Sequence, residues 1–243
     1  MTLLKVEGVS VSFGGVNALT DVDLSVDAGR VTGLIGPNGA GKTTLFNVVS
    51  GLQVPNRGRV TMDGEDITQL KPFQRARLGI GRTFQRLEIF GSLTVRDNIR
   101  VAAEILKDWK HDAPDPLTVA DEVMERIGLT SVAHERADRL PTGMARLVEV
   151  GRALAVQPKV LLLDEPSSGL DERETDELAA LLEELARRGL GVLLVEHDVP
   201  FVMRVCEIVY VLDFGDILAV GTAKDVQRSA AVQRAYLGAG PKR

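Results

Sequence analysis

The sequence is short of the residues that staple, anchor or strongly charge a chain. It holds one cysteine, Cys206, so no internal disulfide can form, and this usage fits a reducing compartment. Its three histidines, His111, His134 and His197, are scattered and build no metal cage with that cysteine. Aromatic residues make up 4%, so the core must be mostly aliphatic. No apolar run approaches the roughly 18 uninterrupted residues that a membrane-crossing helix needs. The start, Met-Thr-Leu-Leu-Lys-Val-Glu, carries an acid at Glu7 and does not read as a secretory signal. Basic charge is not in excess either. Lys+Arg 29 against Asp+Glu 34 leaves −5, which removes any bulk electrostatic case for a nucleic-acid partner.

What is present is ordinary for a globular, cytoplasmic chain. The 243 residues are 44% hydrophobic and 26% charged. That suffices for one or two domains with a sizeable core and excludes disordered, collagen-like and rod-like chains. No internal repeat or low-complexity tract occurs. Residues 1–30 alternate in hydropathy around Gly14-Gly15 and Ala28-Gly29, which predicts short β-strands. Val31 to Ile35 is a compact apolar run, then a glycine-rich loop, then a helical face of Leu45, Phe46, Val48 and Val49 ending at Gly51. Residues 55–68 predict a turn and a strand pair around Asp63-Gly64. From 86 to 155 the strand signal fades, and Thr94–Leu106 and Thr118–Ile127 read as helices of an insertion. Strands return at Val160–Leu163 and Val192–Val195, separated by a helix capped at Asp171 with Glu174 as capping-box partner. Ile208–Leu212 and Ile217–Val220 flank Asp213-Phe214-Gly215-Asp216 as a hairpin.

Gly36, Pro37, Asn38, Gly39, Ala40, Gly41, Lys42 and Thr43 satisfy G-x-x-x-x-G-K-[ST], followed by Thr44. Glycines let backbone N–H groups turn inward around phosphate oxygens, and the following helix adds its positive end. Lys42 supplies a point charge to the terminal phosphates, and the Thr43 hydroxyl can ligate Mg²⁺. A chance match in a chain of this length has odds of about one per cent, so strand, loop and helix in this order make a nucleotide site the stronger reading. Val160 to Leu163 runs into Asp164-Glu165, and parallel sheets bind ligands at the carboxyl ends of their strands. There Asp164 would hold Mg²⁺ through water and Glu165 would polarise an attacking water. His197 directly follows the next strand and can reach the same edge. Asp213-Phe214-Gly215 spells a kinase magnesium motif but lacks every other kinase element, so it reads as a hairpin turn.

The order of these motifs, with Arg82-Thr83-Phe84-Gln85, Leu140-x-x-Gly143 and Ser168-Gly169-Leu170-Asp171, resembles the nucleotide-binding subunit of an ABC transporter along essentially the whole chain. Phe13-Gly14-Gly15, Gly81–Gln85, Glu196-His197-Asp198 and Ala235-Tyr236-Leu237-Gly238 resemble the ATP-binding subunits of branched-chain amino acid importers; urea and amide importers share much of the pattern. The resemblance implies an α/β fold. It is a P-loop NTPase (RecA-like) core with an antiparallel β subdomain over 1–85 and 156–243, and a helical subdomain over 86–155. It implies ATP and Mg²⁺ as ligands, Phe13 stacked on adenine, Gln85 sensing Mg²⁺ and water, Glu165 as catalytic base and His197 on the γ-phosphate. It implies a head-to-tail homodimer or heterodimer in which Thr142, Gly143 and Met144 face the other subunit's ATP. Further partners would be integral membrane permeases and, indirectly, an extracytoplasmic solute-binding protein, with this chain peripheral on the inner face of the membrane.

One departure from that pattern stands out. The usual Leu-Ser-Gly-Gly-Gln is Leu140-Pro141-Thr142-Gly143-Met144 here. Pro141 offers neither hydroxyl nor N–H, although Thr142 can supply a hydroxyl one position along. This keeps a second reading open, an ATP-dependent dimerising clamp with impaired hydrolysis. Leu87, Ile89 and Phe90, framed by Arg75, Arg77 and Arg82, form the expected permease-docking surface.

Overall fold

Val31–Ile35, Val160–Asp164 and Gly191–Val195 are buried at every position. Strands covered on both faces read as continuous apolar runs and belong inside a parallel sheet. The computed structural model describes residues 1–237. In chain order its strands are β1 (Thr2–Phe13), β2 (Val16–Asp27), β3 (Val31–Ile35), β4 (Arg57–Met62), β5 (Glu65–Asp66), β6 (Ile80–Arg82), β7 (Val160–Asp164), β8 (Gly191–Val195), β9 (Ile208–Asp213) and β10 (Asp216–Gly221). Six of them form one sheet in the order β10-β9-β3-β8-β7-β6. All its pairings are parallel except β9 with β10. The other four form an antiparallel sheet in the order β2-β1-β4-β5.

Alternation along the central strands divides the core. Leu161, Leu163, Val192 and Leu194 pack toward the long helices. Val160, Leu162, Leu193 and Val195 pack toward the antiparallel sheet and the helix that follows β3. That helix is α1 (Lys42–Ser50). The rest are α2 (Pro72–Leu78), α3 (Val95–Trp109), α4 (Pro116–Arg126), α5 (Thr142–Ala155), α6 (Glu172–Arg187), α7 (Val199–Val205), α8 (Ala223–Arg228) and α9 (Ala230–Leu237). Helices α3, α4 and α5 pack on one another. Their apolar faces share one cluster with β3, β7 and β8 rather than holding a core of their own.

The differences from the sequence reading have local causes. Residues 2–27 form two strands of 12 residues, not several short ones. Register shifts between Val6, Val9, Val11 and Ser12 absorb the breaks in alternation while the ladder continues. Helix α4 starts before Thr118 because Asp115 accepts from the N–H groups of Leu117 and Thr118, and Pro116 suits the first turn. Five elements, α2, β6 and α7 to α9, escape the sequence reading. They are three to eight residues long, too short for a helical period to stand out. The terminal motif ends at Gly238, which lies outside the described residues.

Candidate nucleotide site

The strand order brings the motif-bearing loops to one edge. β3 lies between β9 and β8, and β7 and β6 follow. Because these strands run parallel, the loops after β3, β6, β7 and β8 leave the same end of the sheet. They carry the glycine-rich loop, Gln85, Glu165 and His197 respectively. A cavity of about 240 Å³ at that edge is lined by Ala18, Asn38–Thr44, Gln85, Asp164, Glu165, Val195 and His197.

Two glycines are sterically required in the loop. A Cβ on Gly36 would lie 2.1 Å from the carbonyl oxygen of Leu212, so β9 can approach only a bare backbone. Gly41 caps α1 in the left-handed region (φ 109°), and a Cβ there would meet the carbonyl of Ala18 at 2.6 Å. The Lys42 ammonium is buried and donates to the carbonyls of Gly36 at 2.7 Å and Pro37 at 3.0 Å. Desolvation lowers its pKa, while Glu165 and Asp164 oppose the shift. A desolvated cation among backbone N–H groups at a helix start is suited to polyphosphate.

Asp164, at the end of β7, is buried. Burial raises its carboxyl pKa; Arg82 pulls it down, and Glu165 and Glu196 push it up. Glu165 lies in the left-handed region (φ 50°), and its N–H donates to the carbonyl of Val195 at 2.8 Å. This turn points its carboxylate along the edge. His197 Nε2 lies 2.8 Å from Glu165 Oε1, and Gln85 Nε2 lies 3.3 Å from the same oxygen. A carboxylate so held can orient a water and accept its proton.

Other predicted residues do not line the cavity. Pro37 lines a neighbouring cavity instead, with Asp213 and Phe214. Phe214 and Gly215 have φ of 45° and 87°, and the Gly215 N–H donates to the carbonyl of Ala40 at 2.9 Å. The hairpin therefore buttresses the loop, as a hairpin and not a kinase motif. Phe13 is half exposed at the end of β1, on the hairpin whose second strand brings Ala18 to the cavity. Thr142, Gly143 and Met144 open α5, with Thr142 near Gly169 and Gly143 near Glu174 of the same chain.

Sequence reasoning missed three supports. Thr83 is buried and its hydroxyl accepts from the Asp164 N–H at 3.2 Å. Glu196 is buried and accepts from Ser167 N and Oγ at 2.8 and 2.7 Å and from the His197 N–H at 3.1 Å. Its signal was an acid at the end of an otherwise apolar strand. Arg75, expected on an exposed rim, is 1% exposed. It donates to the carbonyls of Val48, Val49, Thr68 and Leu70, because α1 ends with carbonyls that need partners.

The ABC transporter family model matches residues 19–168. The lipopolysaccharide export ATP-binding protein LptB of Haemophilus influenzae is 39% identical over 98% of both chains. The branched-chain amino acid transport ATP-binding protein BraF of Pseudomonas aeruginosa is 36% identical over 97% of this chain and 98% of its own. LivG of Escherichia coli, described in the same words, is 37% identical over the same shares. Among solved structures, the ATP-binding cassette MJ1267 of an ABC transporter superposes with a TM-score of 0.88 at 32% identity, covering 97% of this chain and 99% of its own. The chain thus belongs to the ABC transporter family, as one of its ATP-binding, ATP-hydrolysing cassettes.

Proposed function

We propose that the chain hydrolyses ATP to drive a separate membrane permease for branched-chain or related amino acids. The observation that carries the hydrolytic part is the convergence of Lys42, Thr43, Gln85, Asp164, Glu165 and His197 on one cavity. In this reading Lys42 and the N–H groups of 38–44 hold the phosphates, and His197 contacts the γ-phosphate. Glu165 orients a water and takes its proton as oxygen attacks phosphorus. The bond to the β–γ bridging oxygen breaks, releasing ADP and phosphate. The reaction needs positioning and charge stabilisation more than covalent chemistry.

The donor set fits Mg²⁺. The Thr43 hydroxyl, the Gln85 amide oxygen and the Asp164 carboxylate are hard oxygen donors among residues lining one cavity, and they would hold the ion there. Among the described residues no three His, Cys, Asp or Glu side chains form a metal cluster. That suits an ion held by one carboxylate, waters and substrate phosphates. Bound there, Mg²⁺ would neutralise phosphate charge.

The site would be completed by a second subunit, whose Thr142, Gly143 and Met144 face this subunit's ATP while Phe13 stacks on adenine. MJ0796, an ATP-binding cassette with a TM-score of 0.80 and 25% identity, is described as dimeric in a post-hydrolysis state with ADP and phosphate. Residues 86–155 would act as the helical subdomain. No helix among the described residues is long and apolar enough to cross a membrane, so transport calls for permease chains. A cavity of about 360 Å³ is lined by Leu52, Phe73, Phe84, Glu88, Arg152 and neighbours, beside the exposed Leu87 and Phe90. This apolar surface is the permease dock in our reading. Ile89 packs against the core instead of joining it.

The likeness to LptB favours a second cargo reading, lipopolysaccharide export through different permeases. Reconstitution in proteoliposomes with candidate permeases decides between them. ATP-dependent uptake of labelled leucine supports the first, and ATP-dependent lipopolysaccharide release without leucine uptake replaces it. Phe73→Asp should abolish coupling while leaving the isolated subunit folded.

A further inference from the structure

Segment 84–90, which carries Gln85 to the sheet edge, contains neither helix nor strand. Its backbone groups still need partners, and one face of α5 supplies four of them. Arg146, Glu149 and Arg152 recur every three residues, a spacing that puts them on neighbouring turns of one face. Arg146 Nη1 donates to the carbonyl of Phe84 at 3.1 Å, and Nη2 donates to that of Gln85 at 2.6 Å. Glu149 Oε1 accepts from the Glu88 N–H at 3.0 Å. Arg152 donates to the carbonyl of Glu88 and stacks on Phe90 at 4.4 Å. Arg146 and Glu149 also pair with each other at 3.1 Å, with side chains only 11% and 5% exposed.

We propose that Arg146, braced by Glu149, is a positioning residue for Gln85, fixing its backbone to α5 so that the amide meets Glu165. A planar guanidinium reaches two successive carbonyls at once, which a lysine ammonium does not reproduce. The buried pair of opposite charges holds the guanidinium in that pose. The same helix opens with Thr142, Gly143 and Met144. Any displacement of the helix start is therefore carried along α5 to the backbone of Gln85. One chain thereby links the segment proposed to meet its partner's ATP to the side chain that serves its own. The proposal rests on reading Gln85 and Glu165 as parts of the hydrolytic site.

The test is a double-mutant cycle on the full chain, read by Mg-ATP hydrolysis and by calorimetric ATP binding. Arg146→Lys keeps the charge beside Glu149 and loses the fork. It should lower kcat on the order of 10- to 100-fold, as misplacement of a reacting group does, with ATP affinity unchanged. In a Gln85→Ala background the same substitution should cost less than about twofold, since independent sites add and coupled ones do not. If the lysine variant fails to fold, Glu149→Gln replaces it in the cycle; it keeps an acceptor for the Glu88 N–H and removes the brace's charge. Losses that multiply in full, or wild-type turnover in the single variant, assign the pair a structural role only. A wild-type protein without turnover overturns the hydrolytic reading, and the proposal with it.

Discussion

His197 Nε2 and Glu165 Oε1 lie 2.8 Å apart across the ends of β8 and β7. The two residues come from adjacent parallel strands, in a register that pairs Asp164 with Val195. Glu165 immediately follows the last paired residue of β7 and His197 lies two residues beyond that of β8, so the sheet starts the two segments side by side. The side chains differ in exposure, 46% for His197 and 19% for Glu165. The carboxylate is thus the more shielded member and the histidine the one open to a ligand.

Glu165→Gln should keep the contact with His197, because an amide oxygen still accepts. It removes the carboxylate proposed to take the proton from water. Turnover should fall on the order of 10²–10⁴-fold, the usual worth of a positioned acid or base. ATP should stay bound. Single-turnover hydrolysis beside equilibrium ATP binding checks this. A variant that hydrolyses ATP at the wild-type rate would remove Glu165 from the chemistry.

Asp164 predicts a trade of stability against activity. Its pKa is raised in the folded chain, chiefly by burial. The folded state therefore binds the proton more tightly than the unfolded state. Stability then falls as pH rises from the ordinary aspartate value of 3.8 toward the higher folded value, and the cost is constant above it. Asp164→Asn should raise the melting temperature of the nucleotide-free protein at neutral pH and flatten that pH dependence. The same change should abolish Mg-dependent hydrolysis, as expected where a site carries strain for function. Thermal melts from pH 4 to 8 with and without Mg-ATP measure both. An asparagine variant that melts lower at neutral pH would contradict it.

The parts of the site that the sequence made legible are contiguous in the chain. Gly36 to Thr44, Asp164-Glu165 and His197 each sit at the end of a fully buried run, where strand and motif are read together. Side chains that act across the fold were not legible. Arg146, Glu149 and Arg152 look like an ordinary charged helical face until segment 84–90 lies against them. Arg75 looks like a rim arginine because a lone arginine is seldom buried. Nothing local announces that its partners are backbone carbonyls at the end of α1. The strand register, with its bulges near Gly8, was hidden for the same reason: it is set by pairing with β2 and β4.

Arg75 gives the third prediction. Its guanidinium is buried, with desolvation lowering its pKa to about 10, so it remains charged at neutral pH. Four carbonyls, two in the last turn of α1, depend on it. Arg75→Met fits the space but leaves those carbonyls without that partner. Leaving a buried polar group without its partner costs about 1–3 kcal/mol. Arg75→Lys should recover part of the loss, since one ammonium cannot span the same set. Urea denaturation of the three proteins ranks them. A methionine variant within about 0.5 kcal/mol of wild type, the range of ordinary surface changes, would show that water replaces the arginine.

Gly143 and Glu174 give a prediction in which the sign of an effect reverses. Gly143 lies in the first turn of α5 and is absent from the positive-φ positions, so its backbone conformation would accept alanine. Space is the obstacle: a Cβ there would lie 2.4 Å from Glu174 Oε2. That oxygen is not free to move without loss. It accepts from the Asp171 N–H at 2.9 Å, while Asp171 Oδ1 accepts from the Glu174 N–H at 2.8 Å, and the two bonds close the capping box of α6. Gly143→Ala should therefore displace the carboxylate and open half of the box, a loss of about 1 kcal/mol. Glu174→Ala alone should cost a similar amount. In the Glu174→Ala background the obstruction is gone, and the better helix propensity of alanine should emerge as a gain of up to about 0.5–1 kcal/mol. Denaturant unfolding of the four proteins closes the cycle. If Gly143→Ala destabilises equally in both backgrounds, the carboxylate is not what keeps this position glycine.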